Sequence, residues 1–179
     1  MAIFNRIPKR EQIAAVYSVI VLVIYTWTML AFLWRVSGWL YFLNIPEILI
    51  ALGNTLAVNF LESLMVLIVP IVLAVVLPKK WFADVFVARG VTLVLPLLIY
   101  MIYVAYQLED TDALDYPNMV LNLAPVVFIA SLILAFFIGK IGIISKAIEN
   151  FADRSIIFLY ISIPASIISV LMIIFLRVF

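Results

Sequence analysis

Five apolar runs separated by charged connections constrain this chain more than any other feature. Each is long enough to cross the hydrocarbon of a bilayer and too apolar to be stable in water. They cover residues 13–34, 58–77, 91–107, 119–139 and 156–176. Composition excludes the alternative of a soluble domain: 68% of the 179 residues are hydrophobic and only 12% are charged, which is too little charge to clothe a water-facing surface. The expected fold is an all-α integral membrane protein, a single domain over residues 1–179 built as a bundle of five transmembrane helices.

The first run follows Arg6, Lys9 and Arg10. At 1.5 Å per residue it reaches about 33 Å and spans. It is roughly twice the length of a cleavable signal segment, which points to an uncleaved anchor. The second run is harder to delimit, because apolar sequence continues from Ile45 to Leu77 and one helix of that length would measure roughly 50 Å. Asn44, Pro46 and Glu47 make a good helix start: Asn can cap, Pro is tolerated in the first turn, and Glu suits the positive end of the helix dipole. Gly53, Asn54 and Thr55 predict a break, with residues 45–57 forming a short interfacial or re-entrant helix before the true span.

Charge fixes the expected orientation. With a cytoplasmic N-terminus, the inner side holds Arg6, Lys9, Arg10, Lys79, Lys80, Arg89, Lys140, Lys146 and Arg154, and the outer side only Arg35 and Arg177. The positive-inside rule therefore predicts N-terminus in and C-terminus out. Two inner connections carry helical apolar stripes suited to the headgroup layer: Trp81, Phe82, Val85 and Phe86 in one, Ile143, Ile144, Ala147, Ile148 and Phe151 in the other. The connection between the third and fourth spans is acidic, with Glu109, Asp110, Asp112 and Asp115, but it lacks the spacing of an EF-hand loop.

Within the apolar runs one ionisable residue stands out. Glu62 lies on the second span with Asn59 one turn before it, and a carboxylate at membrane depth must be protonated, paired, or turned toward water or protein. Arg35 and Arg177, placed by topology in the same leaflet, are its expected partners; Glu62, Asn59 and Arg35 form the candidate intramembrane polar site. Small residues mark expected packing faces: Ser131, Ala135 and Gly139 at intervals of four, and Ser162, Ser166 and Ser169 on the last span. Pro70, Pro96, Pro125 and Pro164 place one Pro inside each of spans two to five, where each removes a backbone donor. Tyr100, Tyr103 and Tyr106 approach the outer interface, where amphipathic rings are favoured.

Chemistry is sparse. The chain has no His and no Cys, so disulfides, thiolate ligands and the commonest zinc and haem ligands are absent. It carries no nucleophile elbow and no phosphate-cradling Gly-rich loop. No catalytic residue, metal site or cofactor is expected, and nothing points to nucleic acid. Minimal loops favour a non-catalytic integral membrane subunit, or an assembly or anchoring partner, within a larger membrane complex. Its partners would be the lipid bilayer and other membrane subunits, and its expected location is the cytoplasmic membrane of a bacterium or archaeon. The alternative is a small transporter or channel that uses Glu62 and the Pro-interrupted helices.

Overall fold

The computed structural model describes residues 8–107 and 116–178. The acidic segment 109–115, Arg6 and the side chain of Arg177 lie outside the described residues. Among those described there are six α-helices and no strand: α1 (Arg10–Trp39), α2 (Ile45–Val76), α3 (Phe86–Gln107), α4 (Tyr116–Ile138), α5 (Gly142–Ser155) and α6 (Ile157–Val178). Four of them are long and apolar enough to cross a membrane, or five if the bent pair α4 and α5 is counted as one span. The chain is thus a multi-pass helical membrane protein, with α1, α2, α3, α4 and α6 lying over the five apolar runs.

Helix α1 is the post around which the others stand. Residues Ala15 to Val21 are almost fully buried, and α1 packs on α2, α3, α5 and α6. Its neighbours bury one face and turn Leu61, Met65, Ile161 and Ile168 outward, the disposition of a bundle solvated by lipid tails. Helix α4 stands at the periphery and packs mainly on α3. At its end the chain turns by 109° into α5, which crosses the end of the bundle.

The expected break in the second span does not occur, and residues 45–57 are not a separate helix. α2 runs unbroken for 32 residues, opened by the Asn44 amide donating to Glu47 Oε2 at 2.8 Å, with Pro46 in the first turn. Gly53 stays within the helix and faces α6, where a Cβ would meet Met172 Sδ at 3.5 Å, an ordinary contact. Thr55 also stays within the helix, its hydroxyl donating to the Ala51 carbonyl at 2.8 Å. At roughly 48 Å, α2 exceeds the hydrocarbon thickness, so it must tilt or project beyond it. Each of Pro70, Pro96, Pro125 and Pro164 sits inside a helix that continues on both sides.

The link from α2 to α3 is two 3-10 turns, Lys79–Trp81 and Ala83–Val85, rather than one amphipathic turn. Phe82 and Phe86 are buried edge to face with centroids 6.1 Å apart, while Trp81 stays exposed. The second apolar-striped connection forms helix α5, which buries small residues against the bundle. Ser145, Ala152 and Ser155 face the bundle, and Ile143, Ile144 and Phe151 point away from it. The Ala152 carbonyl accepts the Ser18 hydroxyl at 3.1 Å.

Small residues of α4 and α6 take buried positions. Ser131 and Ala135 are buried where α4 meets α3; Ser162, Ser166 and Ser169 are buried on α6. Each of these serines donates to the carbonyl four residues earlier, which satisfies its hydroxyl at depth. Gly139 has a particular role, since a Cβ there would run into the guanidinium of Arg89. Arg89, expected on a watery connection, is instead buried in the first turn of α3.

Candidate functional site

Four polar residues of α2 gather on one face. Thr55, Asn59 and Glu62 recur at four and three residues with Asn54 beside them, so together they form one polar stripe along this helix. Because α2 is continuous, Glu62 falls close to the middle of its 32 residues rather than near one end. The stripe faces a cleft of about 440 Å³ whose other walls are Val23, Ile24, Trp27 and Thr28 of α1 and Leu98, Met101, Ile102 and Ala105 of α3. That volume lies within the range of small-molecule sites.

Two groups in the cleft have unused bonding capacity. Asn59 is 3% exposed; its Oδ1 accepts from Thr28 Oγ1 at 3.2 Å, and its Nδ2 has no hydrogen-bond partner among the described residues. A buried amide donor left unpaired costs about 1–3 kcal/mol, so a partner that accepts from it is favoured. Glu62 is exposed at the flank of the cleft and has no hydrogen-bond or ion-pair partner among the described residues. Its neighbour Ser63 points the other way, into the bundle, where it shares a hydrogen bond of 3.1 Å with the Tyr17 hydroxyl.

The structure brings Glu62 and Asn59 together and places Arg35 elsewhere. Arg35 lines a second cavity of about 590 Å³ with Trp34 and Tyr106, nearer the ends of α1 and α3, and the two cavities meet at Trp27, Thr28 and Ala105. Seven residues of helix, about 10 Å, separate Arg35 from Thr28, so the expected pair with Glu62 is not made. Of the tyrosines on α3, Tyr103 accepts from Gln107 Nε2 at 3.0 Å and Tyr106 is exposed on the second cavity.

Sequence reasoning missed Trp27, Thr28, Asn54 and Thr55. The last two were legible as members of the polar stripe through their spacing to Asn59 and Glu62, had Gly53 not been read as a break. Trp27 and Thr28 carry no such signal, because which face of α1 meets α2 is decided by packing. No group of three His, Cys, Asp or Glu side chains that could hold a metal ion occurs among the described residues.

Chemically, the cleft offers a carboxylate, an amide donor, a hydroxyl and an indole set in apolar walls. It suits a group that is positively charged or rich in donors at one point, carries an acceptor nearby, and is otherwise apolar. Comparison of the chain with protein-family models, curated proteins and solved structures finds no match.

Proposed function

We propose that this chain is a small, non-catalytic membrane carrier that takes an organic cation into the cleft between α1, α2 and α3, with Glu62 as counter-charge. The observation behind this reading is that Glu62 and the Asn59 Nδ2 donor, both lacking partners among the described residues, converge on a cavity at mid-helix. In hydrocarbon such groups are costly, and a cation that neutralises one while accepting from the other offsets that cost. The proposed setting is a bacterial or archaeal cytoplasmic membrane with the N-terminus inside. Arg10, Lys79, Lys140, Lys146 and Arg154 all belong to the ends and connections that this threading puts on the cytoplasmic side.

Ethidium efflux from proteoliposomes tests the proposal. The wild-type protein should accelerate it, and Glu62→Gln should slow it at least about tenfold, the rate equivalent of 1.4 kcal/mol, without lowering thermal stability. Equal efflux from protein-free vesicles would sink the reading. A second reading, a subunit of a larger membrane complex, is favoured by the lateral exposure of Glu62, where a partner helix could present a basic side chain. Its mark is a second polypeptide that co-purifies in mild detergent with the wild type and not with Glu62→Gln.

A further inference from the structure

Away from the polar cleft, the bundle leaves a second opening whose chemistry is of the opposite kind. Between the end of α2 and the end of α4 lies a groove of about 500 Å³ walled by Leu73, Leu77, Trp81, Leu132 and Phe136, with no carboxylate in its lining. It exists because α4 packs on α3 rather than on α2, so the last turns of α2 and α4 stand apart. The rim is cationic and aromatic. The Lys140 ammonium sits over the Phe136 ring, 4.4 Å from its centroid, and Phe136 meets Trp81 edge to face at 5.8 Å. Trp81 is 56% exposed, and Lys79, two residues before it in the same 3-10 turn, is exposed as well.

We infer that this groove is a site for one anionic phospholipid, with an acyl chain between α2 and α4 and the head-group phosphate held by Lys140 and Lys79. Three observations converge on that occupant. The walls are almost wholly apolar, and a void of this size facing a bilayer fills with hydrocarbon rather than water. The groove opens at the end of the helices where the chain's basic connections lie, so its mouth is at headgroup depth. The ammonium is positioned by a ring on the groove wall and keeps its donors for an anion, while the neighbouring Trp81 indole supplies a further N–H of the kind found at the membrane interface. Charge complementarity separates an anionic lipid from a zwitterionic one, because each basic residue near a phosphate favours it by about fivefold in affinity.

The four tryptophans allow a local test. With Trp27, Trp34 and Trp39 changed to Phe, Trp81 alone reports, and its quenching by phosphatidylglycerol brominated on the acyl chain is compared with that by brominated phosphatidylcholine. A preference of several-fold for phosphatidylglycerol is expected, falling toward one in Lys140→Ala combined with Lys79→Ala. Equal quenching by the two lipids overturns the proposal. As a second measurement, which leaves the tryptophans in place, the wild-type protein extracted from phosphatidylglycerol-containing bilayers is weighed intact. One retained phosphatidylglycerol, lost in Lys140→Ala and in the groove-filling Leu132→Trp, supports the site; retention unchanged by both variants overturns it.

Discussion

Gly90 lies where α1, α2 and α3 meet, and replacing it measures how tightly the three are held. A Cβ at this position would stand 3.1 and 3.4 Å from the two Val16 methyls and 3.7 Å from the Pro70 Cβ. Val16 and Pro70 are both essentially inaccessible, so neither can move into open space. In Gly90→Ala the gain in helix propensity, about 1 kcal/mol, opposes a squeeze of similar size, and little net change is expected. Gly90→Val adds two more methyls with nowhere to go, and overpacking of this kind costs about 1–3 kcal/mol. At about 2–4 °C per kcal/mol for a chain of this size, the midpoint of thermal unfolding in detergent should fall by roughly 2–12 °C. Val16→Ala alone should also destabilise, by about 2 kcal/mol, through the methyls it removes. Combined with Gly90→Val it should do less harm than the sum of the two, because the new methyls occupy the vacated space, with a coupling of about 1–3 kcal/mol. Strict additivity of the two changes, read by circular dichroism during heating, would refute the close approach.

Three further outcomes follow from the geometry. Asn59→Leu removes an amide whose Nδ2 has no partner among the described residues, so the midpoint should stay level or rise; a clear fall in stability would show that the amide is satisfied in the folded protein. Tyr25→Phe removes the hydrogen bond to Ser166 of α6 and should cost about 0.6 kcal/mol, and no more than about 1.7, a small drop that a double-mutant cycle with Ser166→Ala isolates. Spin labels at Leu49→Cys and Val72→Cys, both exposed sites on α2 in a chain without native Cys, should lie about 35 Å apart by electron resonance, since 23 residues of unbroken helix span that length; a much shorter separation would restore the break at Gly53.

Hydrophobicity made the architecture legible, because solvation by lipid is a property of whole segments and survives ignorance of packing. The apolar run 13–34 sits inside α1, and the runs 91–107 and 119–139 coincide with α3 and α4 to within a few residues. What failed was the reading of single residues with two uses. Gly53 can end a helix or sit inside one, and the packing of α2 against its neighbours, with Met172 of α6 beside this position, decides for the second. Arg89 likewise follows a watery connection in sequence, yet the small residue at position 139 leaves room to bury it. The candidate site was half visible: Asn59 and Glu62 announce themselves as polar groups in an apolar run, while Trp27 and Thr28 join them only through the rotation of α1 about its axis, which no local pattern encodes.

The burial of α1 has a consequence for how the chain is made. Several of its polar groups find their mates on segments that leave the ribosome later: Tyr17 waits for Ser63, Thr28 for Asn59 and Tyr25 for Ser166. Helix α1 therefore enters the bilayer before the helices that satisfy it, and a nascent chain stopped before α6 leaves Tyr25 without its Ser166 partner. Synthesis order and packing order run opposite ways in this bundle, so quality control that senses stray polar groups in the membrane can distinguish an unfinished chain from a finished one.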